Sequence, residues 1–269
     1  MNRISLADVE LSVCDSGEGH PILLLHGFPT SHLLWREVMP ALEGAGFRPI
    51  APDLAGFGES DAPEGADVRM TNQARWMFAL LDRLRLEERP VIAAHDIGTA
   101  VAQLMVARDP GRIRGLILID GVYGDNWAME EVESIRAWDP AAASRLVKLL
   151  GRRVRAWSDS APSQEKLREM LAIGEGEGAA RRIIRAAQSM DPRSTAEILE
   201  QLRRDHPPTL VLWGQKDRFL PVESVGKPLA ALFGAELKVL PGGHFLPLDC
   251  PQDVAAEILS FAKSLPPGR

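Results

Sequence analysis

Only two cysteines, Cys14 and Cys250, occur in 269 residues. They lie far apart and in no metal-like spacing, so reduced buried thiols are expected rather than a disulfide, and nothing calls for a metal or cofactor. Positive charge is in deficit: 31 Lys and Arg against 37 Asp and Glu leave a net charge of -6. With no basic stripe, a nucleic-acid partner is not expected. No uninterrupted apolar run approaches the roughly 20 residues that cross a bilayer. The first residues, Met1-Asn2-Arg3-Ile4-Ser5-Leu6-Ala7-Asp8, also lack the basic-then-apolar layout of a secretion signal. A cytoplasmic protein without a membrane partner is the simplest expectation, and oligomeric state is not legible. Internal repeats and low-complexity tracts are absent. Tyrosine occurs once, at Tyr123.

What is present is a 45% hydrophobic chain of a length that suits one large α/β domain with an inserted element. Short apolar runs at about 22–25, 47–51, 91–95, 113–119, 209–213 and 237–240 read as strands, preceded by weakly alternating leading strands over 4–13. Helical spacing over about 33–42, 72–84, 100–107 and 252–262 alternates with them, the pattern of a largely parallel sheet covered on both faces. Between 122 and 206 this alternation stops. That stretch reads as amphipathic helices broken by Pro140, Pro162, Pro192 and the glycines of Gly174-Glu175-Gly176-Glu177-Gly178, a flexible loop or hinge that lacks the lysine and spacing of a phosphate cradle. Acidic and basic residues balance within it, so the negative charge belongs to the rest of the chain and the segment has no field to select anions.

The chemistry concentrates at Asp96. In Ala94-His95-Asp96-Ile97-Gly98-Thr99 the acid sits between an apolar strand and a helix, and the small residues around it are those that a sharp strand-turn-helix elbow requires. This is a nucleophile elbow with aspartate in the place of serine. Three further motifs stand in register: Leu23-Leu24-Leu25-His26-Gly27-Phe28-Pro29, Asp53-Leu54-Ala55-Gly56-Phe57-Gly58-Glu59-Ser60, and the pair Val211-Leu212-Trp213-Gly214-Gln215-Lys216-Asp217 with Gly242-Gly243-His244.

Together these motifs resemble the α/β-hydrolase family, aspartate-nucleophile branch, over nearly the whole chain. The resemblance implies an α/β-hydrolase fold with a main domain at 1–121 and 207–269 and a helical cap at 122–206. It also implies a triad of Asp96, Asp217 and His244, with the backbone N–H groups of Phe28 and Ile97 as oxyanion hole. Asp120, at the end of the strand before the cap, is the alternative triad acid. His26 and His95 read as braces for the loops, Pro29 as a cis residue shaping the oxyanion loop, and Asp53, Gly56, Gly58 and Ser60 as a structural turn.

A carboxylate nucleophile is already ionised at neutral pH, so it can attack an sp3 carbon and form an alkyl ester on the enzyme. His244, oriented by Asp217, would then activate a water to hydrolyse that ester. Such elbows belong to epoxide hydrolases, haloalkane dehalogenases and haloacetate dehalogenases, which differ in how the leaving group is received. Epoxide enzymes use two cap tyrosines, and here there is Tyr123 alone. Haloalkane enzymes use a tryptophan after the nucleophile and an asparagine in the oxyanion loop, and here those positions hold Ile97 and Phe28. Haloacetate enzymes place arginines one and four residues after the nucleophile, where this chain has Ile97 and Ala100. The first expectation is hydrolysis of epoxides of small apolar substrates. The second is halide release from a haloalkane or haloacid, and from another class, a non-hydrolytic ligand-binding protein or biosynthetic catalyst. Tyr123, Trp127, Trp138 and Trp157 are the candidate leaving-group donors.

Overall fold

Three runs are apolar on both faces, and every residue of 21–25, 91–94 and 115–119 is buried. Side chains of a strand alternate between the two faces of its sheet, so a run with no polar side requires cover on both faces. The computed structural model describes residues 1–160, 162–171 and 177–266 and supplies that cover. Eight strands form one sheet: β1 (Asn2–Ser5), β2 (Glu10–Asp15), β3 (His20–Leu25), β4 (Phe47–Pro52), β5 (Val91–His95), β6 (Gly115–Ile119), β7 (Thr209–Gly214) and β8 (Glu236–Leu240). Their order is β1-β2-β4-β3-β5-β6-β7-β8, and among the described residues the strands of this sheet pair antiparallel only where β2 meets β1 and β4.

The helices are α1 (Met39–Gly44), α2 (Met70–Leu84), α3 (Ile97–Arg108), α4 (Met129–Arg136), α5 (Ala143–Trp157), α6 (Gln164–Leu171), α7 (Glu177–Gln188), α8 (Arg193–Ala196), α9 (Leu199–Arg204), α10 (Lys227–Leu232), α11 (Leu246–Asp249) and α12 (Pro251–Ser264). Among the described residues none is long and apolar enough to cross a membrane. The expected helix over 33–42 is divided into a 3-10 turn at His32–Trp35 and α1. Pro40 cannot donate a backbone hydrogen bond and is tolerated only in a first turn, so α1 starts there and does not continue from the turn before it. The helix expected over 100–107 extends back to Ile97 and is buried nearly all round, lying between the sheet and α2, α8 and α9. Of the expected hinge at 174–178, residues 174–176 lie outside the described residues, while Glu177 and Gly178 open α7.

The functional consequence of this topology lies between β3 and β5. The chain leaves β3 for β4 on one side and returns to β5 on the other, and such a reversal opens a crevice beyond the carboxyl ends of the two strands. Leu25 pairs with Ala94, so the loop of His26 to Pro29 and the elbow at Asp96 emerge side by side into that crevice. Helices α4 to α9 are inserted between β6 and β7, and residues of α4 and α5 stand over the same place.

Candidate active site

Asp96 has φ 50° and ψ -125°, a conformation an L-residue adopts only when its surroundings impose it. The surroundings are tight. A Cβ on Gly98 would stand 2.6 Å from the carbonyl oxygen of His26, so only glycine lets α3 start this close to the neighbouring loop. Thr99 Oγ1 donates to the Asp96 carbonyl at 2.6 Å and accepts from the N–H of Val122 at 2.9 Å. Gln103 Nε2 donates to the carbonyls of Thr99 and Val122, tying α3 to the loop after β6. Thr99 was legible only as a small residue of the elbow, and Gln103 was not legible at all.

The side chain of Asp96 is buried, and the N–H of Phe28 donates to its Oδ2 at 3.0 Å. The N–H of Ile97 also acts on this carboxylate. The two predicted oxyanion donors thus converge on the predicted nucleophile. Phe28-Pro29 is a cis peptide, as the motif suggested. Burial raises the Asp96 pKa, and the neighbouring His244 and the Phe28 N–H offset only part of the effect, leaving it at about 6.

His244 is 1% exposed, and its Nδ1 lies 2.9 Å from Asp217 Oδ2. Asp217 Oδ1 accepts the N–H groups of Phe219 and Leu220, each at 2.8 Å. Because Nδ1 donates to the acid, Nε2 is the free lone pair, and it has no partner among the described residues. Burial lowers the pKa of His244, but the charge and hydrogen bond of Asp217 outweigh this and hold it above its ordinary 6.5.

Asp120, the alternative acid, does not bond to His244. Its Oδ1 accepts the N–H of Gly214 at 2.7 Å, and its Oδ2 is buried without a hydrogen-bond partner among the described residues. Burial, then the charge of Asp217, pushes its pKa well above the ordinary 3.8 and favours the neutral form.

The two expected braces behave as such. His26 Nδ1 donates to the Gly27 carbonyl at 3.0 Å, and its Nε2 accepts from the N–H of Leu54 at 3.0 Å, joining the loops after β3 and β4. His95 Nε2 donates to the His244 carbonyl at 2.8 Å, and burial followed by repulsion from His244 keeps the ring neutral. In the turn after β4, Asp53 accepts from His32 and Glu59, and Ser60 Oγ donates back to the Asp53 carbonyl. That segment is structural.

Above Asp96 lies a cavity bounded by Phe28, Pro29, Ile97, Trp127, Glu131, Val132, Ile135, Leu150, Arg153, Trp157, Met190 and Phe219. Its wall is apolar apart from Glu131 and Arg153, which pair with each other at 2.8 Å. The four candidate leaving-group donors separate here. Tyr123 and Trp138 are not in the wall. Trp127 is, but its indole N–H donates to Thr195 Oγ1 at 2.9 Å. Trp157 lines the cavity, and its N–H has no partner among the described residues. Its ring stacks on Phe219 at 4.4 Å, and Phe219 meets His244 edge-on at 4.9 Å. Phe219 was not legible in the sequence, although its place two residues after Asp217 was the available signal.

Comparison with known proteins gives a consistent context. A family model described as alpha/beta hydrolase fold matches residues 20–251. The haloalkane dehalogenase 2 of Mycobacterium tuberculosis strain H37Rv is 30% identical over 257 residues, covering 91% of this chain and 88% of that protein. Among solved structures, an alpha/beta hydrolase fold protein from Burkholderia ambifaria superposes with a TM-score of 0.83 at 26% identity, covering 96% of this chain and 97% of that one. A loop variant of a haloalkane dehalogenase from Bradyrhizobium elkanii shares the fold at 21% identity and a TM-score of 0.83, covering 97% and 95%.

Proposed function

This chain belongs to the α/β-hydrolase family, and on that premise we propose that it is a hydrolase working through a covalent alkyl ester on Asp96, with a halogenated small apolar compound as substrate. Asp96 attacks the carbon that bears the halogen; a C–O bond forms, the C–halogen bond breaks, and halide leaves with the bonding pair. His244 Nε2 then takes a proton from water, whose oxygen attacks the ester carbonyl carbon. The oxyanion is received by the N–H groups of Phe28 and Ile97, and its collapse releases an alcohol and restores the Asp96 carboxylate. Residues 122–206 act as the cap that supplies the apolar wall.

One observation carries the choice of leaving group: which of the candidate donors line the cavity and make no hydrogen bond elsewhere among the described residues. An epoxide oxygen departs as an alkoxide and needs a proton from an acid, and the single phenol, Tyr123, is outside the wall. A halide needs only N–H groups to receive its charge, and we assign that part to Trp157, which lines the cavity and whose indole N–H makes no hydrogen bond among the described residues. The name of the Mycobacterium tuberculosis relative supports the same reading. Epoxide hydrolysis is the second reading, supported by the Gly27-Phe28-Pro29 loop and by a nucleophile that would serve both reactions.

The test is intact-mass analysis of wild type and His244→Gln after exposure to 1-bromobutane and, separately, to 1,2-epoxybutane. The expected outcome is catalytic bromide release by wild type, and in the variant a stable butyl adduct that peptide mapping locates on Asp96. An adduct on another residue, or none with a compound that wild type consumes, would refute the two-step mechanism. An adduct from the epoxide alone would move the substrate to the second reading.

A further inference from the structure

The turn that ends α5 and the loop that carries His244 are joined through one carboxylate. Asp249 Oδ2 accepts from the N–H groups of Gly243 and Asp159, each at 2.8 Å, and Oδ1 accepts from the N–H of Ser160 at 2.9 Å. In the other direction, the N–H of His244 donates to the Trp157 carbonyl at 2.8 Å. The approach is close enough that a Cβ on Gly243 would stand 2.1 Å from the Trp157 oxygen. Hydrogen bonds to an ionised acceptor are shorter and roughly twice as strong as neutral ones. Three donors from two separate segments on one half-buried carboxylate therefore fix those segments to each other. The neighbouring Lys216 to Asp159 ion pair is exposed at both ends and contributes little.

We propose that Asp249 is a positioning residue that sets the Trp157 turn and the His244 loop as one unit, so that the indole at the cavity and the imidazole that activates water keep a fixed relation. The chemistry assigned to those two rings rests on the function proposed above; the coupling between the segments is a property of the fold. Asp249 lies outside the cavity wall. If it only stabilised the last helices, its loss would lower stability without changing how Trp157 and His244 depend on one another.

Asp249→Asn keeps the size of the side chain but leaves one acceptor oxygen for three donors. The first measurement needs no substrate: acrylamide quenching of the Trp157 emission, taken as the difference between each protein and its Trp157→Phe counterpart. Quenching is expected to rise about twofold or more in Asp249→Asn, and unchanged quenching would overturn the coupling. The second is a double-mutant cycle on the bromide burst with 1-bromobutane. Asp249→Asn is expected to slow the burst about tenfold in the native background and less than twofold in Trp157→Phe, whereas equal effects in both would overturn the proposal. Should wild type release no bromide, the reading of the chemistry fails while quenching still decides the coupling. Hydrogen exchange of the wild-type protein tests the coupling even if the variant does not fold. The amides of Asp159 and Ser160 are expected to be protected to the same degree as those of Gly243 and His244; rapid exchange at 159 and 160 beside protection at 243 and 244 would overturn it.

Discussion

The carboxyl groups of Asp96, Asp120 and Asp217 all lie inside the protein, and their different surroundings give them different work. Asp217 is held by two backbone N–H groups and faces His244, which suits an ionised acid that orients a base. Asp120 accepts the N–H of Gly214, while burial and the charge of Asp217 favour its neutral form, and an amide of the same shape keeps that acceptor. Asp120→Asn is therefore expected to keep turnover within about threefold. Asp217→Asn would favour the wrong imidazole tautomer and slow ester hydrolysis by about 10³- to 10⁴-fold. Single-turnover measurement of ester decay compares the two, and the opposite ranking would make Asp120 the triad acid. The same groups set the pH dependence. Alkylation needs ionised Asp96, so its rate should fall about tenfold per pH unit below about 6. Hydrolysis needs neutral His244, whose pKa lies above 6.5, so steady-state turnover should keep rising with pH after the burst has levelled. A halide burst unchanged down to pH 4.5 would show that Asp96 is not the group that must ionise.

At the level of elements, the parts of the site held by glycines and short motifs were legible, and those held by tertiary contact were not. Strand β5 and the elbow follow from Val91-Ile92-Ala93-Ala94 and from the need for small residues where strand and helix nearly touch, requirements that sequence records directly. The order of the Asp96, Asp217 and His244 loops follows from motifs at the ends of strands. The wall over Asp96 depends instead on where α4 and α5 pack, and helical periodicity says which face of a helix is apolar, not what that face meets. Trp127, Trp138 and Trp157 therefore looked equivalent in sequence, yet Trp127 spends its N–H on Thr195 and Trp138 on the Ala142 carbonyl. Tyr123 is a candidate acid in sequence because it is the only phenol, and the turn it forms with Asn126 leaves it out of the cavity wall. A pair of substitutions tests this division. Trp157→Phe should cut bromide release by about 10²- to 10³-fold, on the scale of losing one charge-stabilising donor. Tyr123→Phe should change it by less than about twofold. Rates for both variants on one bromoalkane check the assignment, and a large loss at Tyr123 would reverse it.

For the molecule as a whole, the site is an expense that the rest of the fold offsets. A carboxyl whose folded pKa is raised above its unfolded value favours the fold only while it is protonated. For Asp96 that advantage is complete below its ordinary value of 3.8 and is lost as pH rises through about 6. Above that pH, ionised Asp96 burdens the folded protein by about 3 kcal/mol relative to a neutral group of the same shape. Native domains are stable by only about 5–15 kcal/mol, so one side chain consumes a substantial fraction of the total. A buried residue retained at such a cost, in a strained backbone conformation, is what a nucleophile requires and what a packing residue would not. Asp96→Asn, which keeps an acceptor for the Phe28 N–H, is therefore expected to abolish alkylation and to raise stability at pH 7.5 by about 1–3 kcal/mol. The gain should shrink to about half at pH 5, where the wild-type carboxyl is mostly protonated in the folded state. Urea unfolding of both proteins at the two pH values measures it. A variant less stable than wild type at pH 7.5, or a gain independent of pH, would mean that the Asp96 carboxylate is stabilised by its site and that its attack on carbon draws nothing from burial.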